Sequence, residues 1–101
     1  MPNFIKIAEI KDVPVGEGRC VDANGRILAL FNVAGTFYAI DNTCLHREGP
    51  LGEGSLEGSV VTCPWHGWQY DVTTGISPVN PSVCVATFPV KIEGEEIFVT
   101  L

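Results

Sequence analysis

The sequence predicts a single all-β domain, built as a small antiparallel sandwich or barrel. Glycine and proline interrupt the chain so often that the longest run without either is Thr36 to Glu48. Segments rich in Val, Ile, Phe and Thr lie between these turn residues, as is typical of strands. No segment shows a sustained apolar period of 3.6 residues between helix caps. The length of 101 residues also fits one domain.

Four strands are predicted in the N-terminal part: residues 4–10, 19–22, 26–33 and 36–41. Asn24-Gly25 joins the second strand to the third as a tight hairpin turn, because both residue types tolerate positive φ. Ala34-Gly35 makes the next turn. These alternations of strand and turn predict antiparallel neighbours.

The rest of the chain divides into a C-terminal hairpin and a different middle part. Residues 86–93 and 96–101 are predicted strands on either side of Gly94-Glu95. Between residues 43 and 81 lie a glycine-rich stretch, 49–58, and two shorter strand candidates, 59–62 and 68–72. The middle part also holds the residues with distinctive chemistry.

Charge and hydropathy exclude two classes of partner. The formal net charge is −6, from six Lys and Arg against twelve Asp and Glu, which disfavours nucleic acid because phosphates require a basic surface. An acidic surface favours electrostatic steering toward a basic partner, or serves solubility alone. The N-terminus lacks a signal-peptide pattern, and no apolar stretch approaches the roughly 18–20 residues that span a bilayer. We therefore expect a cytoplasmic protein without membrane contact.

Two short motifs use both histidines of the chain. They are Cys44-Leu45-His46 and Cys63-Pro64-Trp65-His66, with sixteen residues between them. Each motif supplies one thiolate and one imidazole, so two adjacent loops would present a cysteine pair and a histidine pair. A [2Fe–2S] cluster with two sulfur ligands on one iron and two nitrogen ligands on the other needs this division. A tetrahedral structural Zn²⁺ is the alternative, although zinc motifs usually pair like ligands.

The pattern Cys-x-His, about sixteen residues, then Cys-x-x-His resembles the signature of the Rieske family, and the chain resembles its soluble ferredoxins. The resemblance implies one Rieske domain over residues 1–101, with a small cluster-binding subdomain at about 43–81 inserted in the β framework. It also implies one [2Fe–2S] cluster per chain. Cys44 and Cys63 would hold the inner iron as thiolates, and His46 and His66 the outer iron as neutral imidazoles.

The resemblance assigns further roles, each with a plainer alternative. Gly67 would direct backbone N–H groups at sulfur, or is an ordinary turn glycine. Residues 78–81, Pro-Val-Asn-Pro, would form a third loop covering the cluster, or a stiff connection. Tyr70 would donate a hydrogen bond to a cysteine ligand, or is a half-buried strand aromatic.

Departures from the quinol-oxidising branch of the family predict a low reduction potential. Gly49 and Trp65 stand where that branch has a pair of disulfide-forming cysteines, and Trp68 stands where it has a serine that donates to a bridging sulfide. With fewer hydrogen bonds to sulfur, we expect a potential near the bottom of the Rieske range, about −150 to 0 mV. Cys20 and Cys84 are not assigned as ligands. We expect each to be a small buried hydrophobic residue within a strand; the alternative is a disulfide between them.

The resemblance implies a one-electron carrier. The catalytic oxygenases that share the motif need a second iron with two further histidines, which this chain lacks, so we expect no enzymatic activity of its own. Electrons would come from a flavin-dependent NAD(P)H reductase and pass to a terminal oxygenase, one that hydroxylates an aromatic ring. Glu53 and Glu57 are candidate docking charges, or simply solvated loop residues. The alternatives are a Rieske small subunit of a cytosolic reductase such as assimilatory nitrite reductase, and a structural zinc module.

Overall fold

The structure is a computed structural model that describes residues 4–42, 50–65 and 67–100. It confirms the all-β prediction, since the described helices are two 3-10 turns, Ile10–Asp12 and Leu51–Glu53. The strands in chain order are β1 Phe4–Glu9, β2 Gly18–Ala23, β3 Arg26–Val33, β4 Thr36–Asp41, β5 Ser55–Glu57, β6 Val60–Thr62, β7 Gln69–Asp71, β8 Thr87–Phe88, β9 Val90–Glu93 and β10 Glu96–Thr100. No helix in these ranges is long and apolar enough to span a membrane.

The strands form three antiparallel sheets. The first sheet has the order β1-β10-β9, the second β2-β3-β4-β8 and the third β5-β6-β7. The third sheet is made of three-residue strands and lies between β4 and β8 in the sequence. It carries the second motif, because Cys63 directly follows β6.

The two predicted turns of the second sheet are confirmed by their backbone angles. Asn24 and Gly25 have φ of 55° and 92°, and Ala34 and Gly35 have φ of 51° and 94°. Two successive residues with positive φ give a turn whose twist matches that of the flanking strands. The β2–β3 register, with Ala23 opposite Arg26, leaves only Asn24 and Gly25 in the loop.

The central strands β3 and β4 of the second sheet are buried on both faces, and a separate apolar core lies on each face. Strand β3 shows this directly, since Leu28 and Leu30 enter one core while Ala29 and Phe31 enter the other. The framework core, between the first and second sheets, contains Val13, Ala23, Leu28, Leu30, Phe37, Ala39, Ile97 and Val99. The site core, between the second and third sheets, contains Ala29, Phe31, Ile40, Leu51, Val61, Cys63, Tyr70, Val72 and Val85. A nearly continuous apolar run is the sequence expected of such a doubly buried strand.

The structure corrects the strand predicted at residues 86–93. Pro89 divides it into β8, which pairs with β4 in the second sheet, and β9, which pairs with β10 in the first. Proline has no N–H to donate to a ladder, so the chain changes sheets there. Strand β5 was not predicted, because it lies in the glycine-rich stretch and is too short to show an alternating pattern.

Candidate metal centre

One of the four predicted ligands lies within the described residues. Cys63 follows β6, is 2% exposed and belongs to the site core. Cys44, His46 and His66 lie outside the described residues. In the described ranges no group of three or more His, Cys, Asp or Glu residues could hold a metal ion, so the test of the donor set depends on what surrounds Cys63.

A tight turn positions Cys63. The Gly67 N–H donates to the Cys63 carbonyl oxygen at 3.1 Å, and the Cys63 N–H donates to the Trp68 carbonyl oxygen at 2.7 Å. Gly67 has a φ of 76°, a conformation in which a side chain is strained. The Gly67 N–H itself closes this turn, as expected of a turn glycine, while the direction of neighbouring backbone N–H groups at sulfur stays a prediction. The turn buries Cys63 and leaves Trp65 57% exposed.

The ends of both motif segments meet in the site core. Leu51, which follows the first motif, is fully buried in the same core as Cys63. Its N–H donates to the Asn42 carbonyl oxygen at 2.8 Å, and this hydrogen bond joins the backbone just before residues 43–50 to the backbone just after them. The residue that follows the first motif segment and the cysteine that opens the second thus belong to one core, and the types of residue in the two motifs fit the donor set of a [2Fe–2S] cluster with two thiolates and two imidazoles.

Two aromatic residues line the interior beside Cys63. Tyr70 lies opposite Val61 in the β6–β7 pair and is fully buried, so the description of Tyr70 as half-buried is wrong. Trp68 is partly buried and packs against the site core. Donation from Tyr70 to a cysteine ligand stays a prediction.

The proline-containing loop at 78–81 lies across a cleft from the residues that follow the second motif. The cleft has a volume of about 250 Å³ and is lined by Gly67, Trp68, Gln69, Ser77, Val79, Asn80 and Val83. The buried Ser77 hydroxyl oxygen accepts the N–H groups of Val79 and Asn80, each at 3.3 Å. The loop is therefore internally braced next to the turn that holds Cys63, while covering of a cluster by this loop stays a prediction.

Cys20 and Cys84 are exposed, so the prediction that both are buried is wrong. Neither forms a disulfide. Cys20 lies on the edge strand β2, where its thiol donates to the Asn42 side-chain oxygen at 3.3 Å. Partial burial, followed by the nearby Glu53 carboxylate, raises the pKa of the Cys20 thiol. Cys84 lies in an isolated bridge with Ile76 at the base of the proline-containing loop.

Charge is unequally distributed between the two parts of the molecule. Residues 48–90 contain no Lys or Arg. The five basic residues of the described ranges all form ion pairs with acidic residues of the first and second sheets or of their connections: Lys6–Glu96, Lys11–Glu9, Arg19–Glu17, Arg26–Asp41 and Lys91–Glu93. Glu53 and Glu57 are exposed and belong to none of these ion pairs. The part that carries the second motif therefore has an excess of negative charge.

Sequence reasoning missed one residue of this region, Asn42. Its backbone and side-chain oxygens both accept hydrogen bonds from the residues that follow the first motif. The available signal was its position, since an asparagine two residues before Cys44 can bond to neighbouring backbone groups.

Comparisons with known proteins identify the same family as the two motifs. A family model described as the Rieske [2Fe–2S] domain matches residues 3–89. The chain is 37% identical over 100 residues to the ferredoxin component of the naphthalene 1,2-dioxygenase/salicylate 5-hydroxylase systems of Ralstonia sp., covering 98% of this chain and 96% of that protein. It is 39% identical over 101 residues to the 3-phenylpropionate/cinnamic acid dioxygenase ferredoxin subunit of Escherichia coli K12, covering 98% and 94%.

A solved structure agrees in both fold and sequence. A chain of the complex of reduced oxygenase and oxidised ferredoxin in carbazole 1,9a-dioxygenase superimposes with a TM-score of 0.85 at 34% identity, covering 96% of this chain and 92% of that chain. These likenesses confirm the prediction of a [2Fe–2S] cofactor over the structural zinc alternative. The chain belongs to the Rieske [2Fe–2S] domain family and is a Rieske-type ferredoxin, an electron-transfer protein and not itself a catalytic enzyme.

Proposed function

We propose that this chain is the electron carrier of a three-component oxygenase system. It takes one electron from a flavin-dependent NAD(P)H reductase and delivers it to a terminal oxygenase that hydroxylates an aromatic ring. The observation that carries the proposal is the shared burial of Leu51, which follows the first motif, and Cys63, which opens the second, in one core. The ferredoxin components named above support the choice of system.

The ligand assignment is part of this proposal. Cys44 and Cys63 bind one iron through thiolates, and His46 and His66 bind the other through neutral imidazoles. When bound, the cluster supplies a centre that accepts and donates one electron. The chain holds Cys63 on a buried turn, so the protein interior excludes water from the thiolate side.

The part of the chain that carries the second motif suits brief docking. Trp65 and Val79 are 57% and 77% exposed, and Val79 lines the cleft together with Gly67 and Trp68. Glu53 and Glu57 are exposed acidic residues of the stretch 48–90, which contains no Lys or Arg. Exposed apolar side chains in an acidic stretch suit a basic partner, and a short-lived redox complex buries less than about 1,200 Å².

We further propose a single domain over residues 1–101, in which residues at about 43–81, with the third sheet, form a subdomain that packs through the site core on the second sheet. The chain would work in the cytoplasm, where NAD(P)H and its reductases are present.

Reconstitution tests the carrier role. The reductase and terminal oxygenase of a naphthalene dioxygenase system, freed of their own ferredoxin, would be combined with cluster-loaded protein, NADH and naphthalene. We expect naphthalene oxidation with the wild type and with Cys84→Ser, and none with Cys63→Ser. Folded, cluster-loaded wild type that transfers electrons to no Rieske oxygenase would contradict the role. Stable co-purification with a large sirohaem or flavin protein would instead favour the reductase-subunit alternative.

Charge variants test the docking surface in the same assay. Glu53→Gln and Glu57→Gln remove charge from the proposed surface, whereas Glu95→Gln removes an exposed carboxylate from the β9–β10 hairpin. At low ionic strength we expect the first two to lower the electron-transfer rate about two- to fivefold, because rim charges act mainly on association. The difference should vanish at high salt. An equal effect of Glu95→Gln would show that total charge matters and not this surface.

A further inference from the structure

Asn42 joins three parts of the molecule at the base of the first motif. It follows β4, directly before residues 43–49. Its backbone carbonyl oxygen accepts the Leu51 N–H at 2.8 Å, and its side-chain oxygen accepts the Gly52 N–H at 2.8 Å. The same side-chain oxygen accepts the Cys20 thiol at 3.3 Å. One residue thus connects β4, β2 and the segment that returns from the first motif.

The partners determine the orientation of the Asn42 amide. A backbone N–H can only donate, so the Gly52 N–H requires the oxygen of the amide on its side. The Cys20 sulfur, which lies against the same oxygen, must then be the protonated donor. Partial burial and the nearby Glu53 carboxylate raise the pKa of the Cys20 thiol, which keeps the thiol protonated at neutral pH.

Close packing leaves this junction little freedom to adjust. A Cβ atom added to Gly52 would lie 2.7 Å from both the Cys20 nitrogen and its sulfur, and 2.8 Å from the Arg19 carbonyl carbon. Those distances are shorter than real Cβ contacts, so Gly52 approaches β2 as closely as a residue without a side chain can. The segment after the first motif therefore packs directly against β2, and the Asn42 side-chain oxygen contacts both.

We propose that Asn42 is a positioning residue: its side-chain oxygen fixes the base of the first ligand loop, and cluster geometry and retention depend on it. This inference rests on the ligand assignment proposed above, in which Cys44 and His46 lie within that loop. Eight residues, 43–50, separate Asn42 from its backbone partner Leu51 in the sequence. If the Asn42 side-chain oxygen is removed, the Gly52 N–H loses its acceptor and the returning segment can shift against β2.

The chain offers a matched control in Asn32. The Asn32 side-chain oxygen also accepts a glycine N–H at 2.8 Å, that of Gly35, but at the opposite end of β4. Its side-chain nitrogen donates to the Val13 carbonyl oxygen at 2.8 Å, far from either motif in the sequence. Asn32→Ala should therefore weaken the fold without disturbing the ligand loop.

The test measures two properties of each variant: the rate at which the cluster is lost to a chelator, and the EPR line widths of the reduced protein. We expect Asn42→Ala to lose its cluster about tenfold faster than the wild type, the effect of removing one acceptor from a partly buried donor. Its EPR lines should broaden, because the ligands sample more geometries. Asn42→Asp keeps an oxygen acceptor and should remain within about twofold of the wild type. Cys20→Ala, which removes only an exposed donor, should show a smaller change in the same direction.

The outcomes separate this inference from the ligand assignment. A wild type with a nitrogen-ligated cluster, but with Asn42→Ala and Cys20→Ala both unchanged in line width and cluster loss, would overturn the positioning role alone. The same follows if Asn32→Ala broadens the lines as much as Asn42→Ala. A wild type without nitrogen ligation would overturn the ligand assignment, and this proposal with it.

Discussion

The framework and the site-bearing part of the molecule are stabilised in different ways. The framework core joins two sheets whose strands include the five- to eight-residue β3, β4 and β10, and the five described basic residues all pair with acids there or in the adjoining connections. The third sheet has three strands of three residues, and none of the basic residues that the structure describes pairs with it. Turns, a few buried side chains and the braced proline-containing loop hold it instead.

This difference indicates which part needs the cofactor. Long strands with an apolar core provide enough hydrophobic burial to form without a metal. Short strands gain little from pairing, and small metal sites commonly supply folding free energy that the chain lacks. We therefore expect the framework to fold alone and the site-bearing part to depend on the cluster.

The largest effect should come from Cys63→Ser. The hydroxyl is a poor substitute for a thiolate ligand, so cluster assembly should be lost, with disappearance of visible absorbance and of iron. Hydrogen exchange should then accelerate in β5, β6 and β7 while β3 and β10 stay protected. Cys84→Ser is the control and should keep the cluster. Equal loss of protection in all three sheets would show that the two parts are one cooperative unit.

A pair of leucine truncations should separate the two cores. Leu30 lies in the framework core and Leu51 in the site core, and both are fully buried. Each Leu→Ala change should lower the free energy of unfolding by about 2–5 kcal/mol, measured by denaturant titration. Only Leu51→Ala should also accelerate cluster loss in a chelator. If Leu30→Ala accelerates it as much, cluster retention follows global stability and not the site core.

A pair of glycines should show a smaller difference. Gly75 and Gly94 have φ of 78° and 61°, but a Cβ on Gly75 would collide with the Val85 carbonyl oxygen, whereas Gly94 has open space. Gly94→Ala should cost about 1–2 kcal/mol from backbone strain. Gly75→Ala should cost roughly 1–3 kcal/mol more from overpacking. Thermal unfolding measures both, and equal costs would mean that the Val85 segment moves aside freely.

The smallest effect concerns the Cys20 thiol. Its pKa is raised above the ordinary 9.0, so the folded state holds the proton more tightly than the unfolded chain. That contribution to stability is complete below about pH 9 and is lost as pH rises through the folded pKa. In a Cys84→Ser background, alkylation of Cys20 should accelerate at higher pH than alkylation of a small model thiol. Matching profiles would contradict the shift.

Sequence reasoning succeeded where local chemistry determined structure. Asn24-Gly25 was recognisable as a turn because Asn and Gly tolerate the positive φ that a two-residue hairpin turn requires, and Gly35 supplied the same signal for the next turn. Pro89 was visible in the sequence, but the change of sheet that it permits depends on which strands come to lie on each side.

The site was less predictable than the strands. The Cys-and-His spacing identified the family and its cofactor, whereas the exposed position of Cys20 depends on β2 being an edge strand. The role of Asn42 depends on Gly52 approaching β2 without a side chain, and no pattern along the chain shows such a contact.

The central claim is that both histidines bind one iron of the cluster. Electron nuclear double resonance on reduced protein labelled with ¹⁵N only in histidine tests it most directly, since the chain contains two His residues. We predict two strongly coupled ¹⁵N nuclei, which assigns His46 and His66 together. A reduced cluster with no coupled histidine nitrogen, or with one, would contradict the claim.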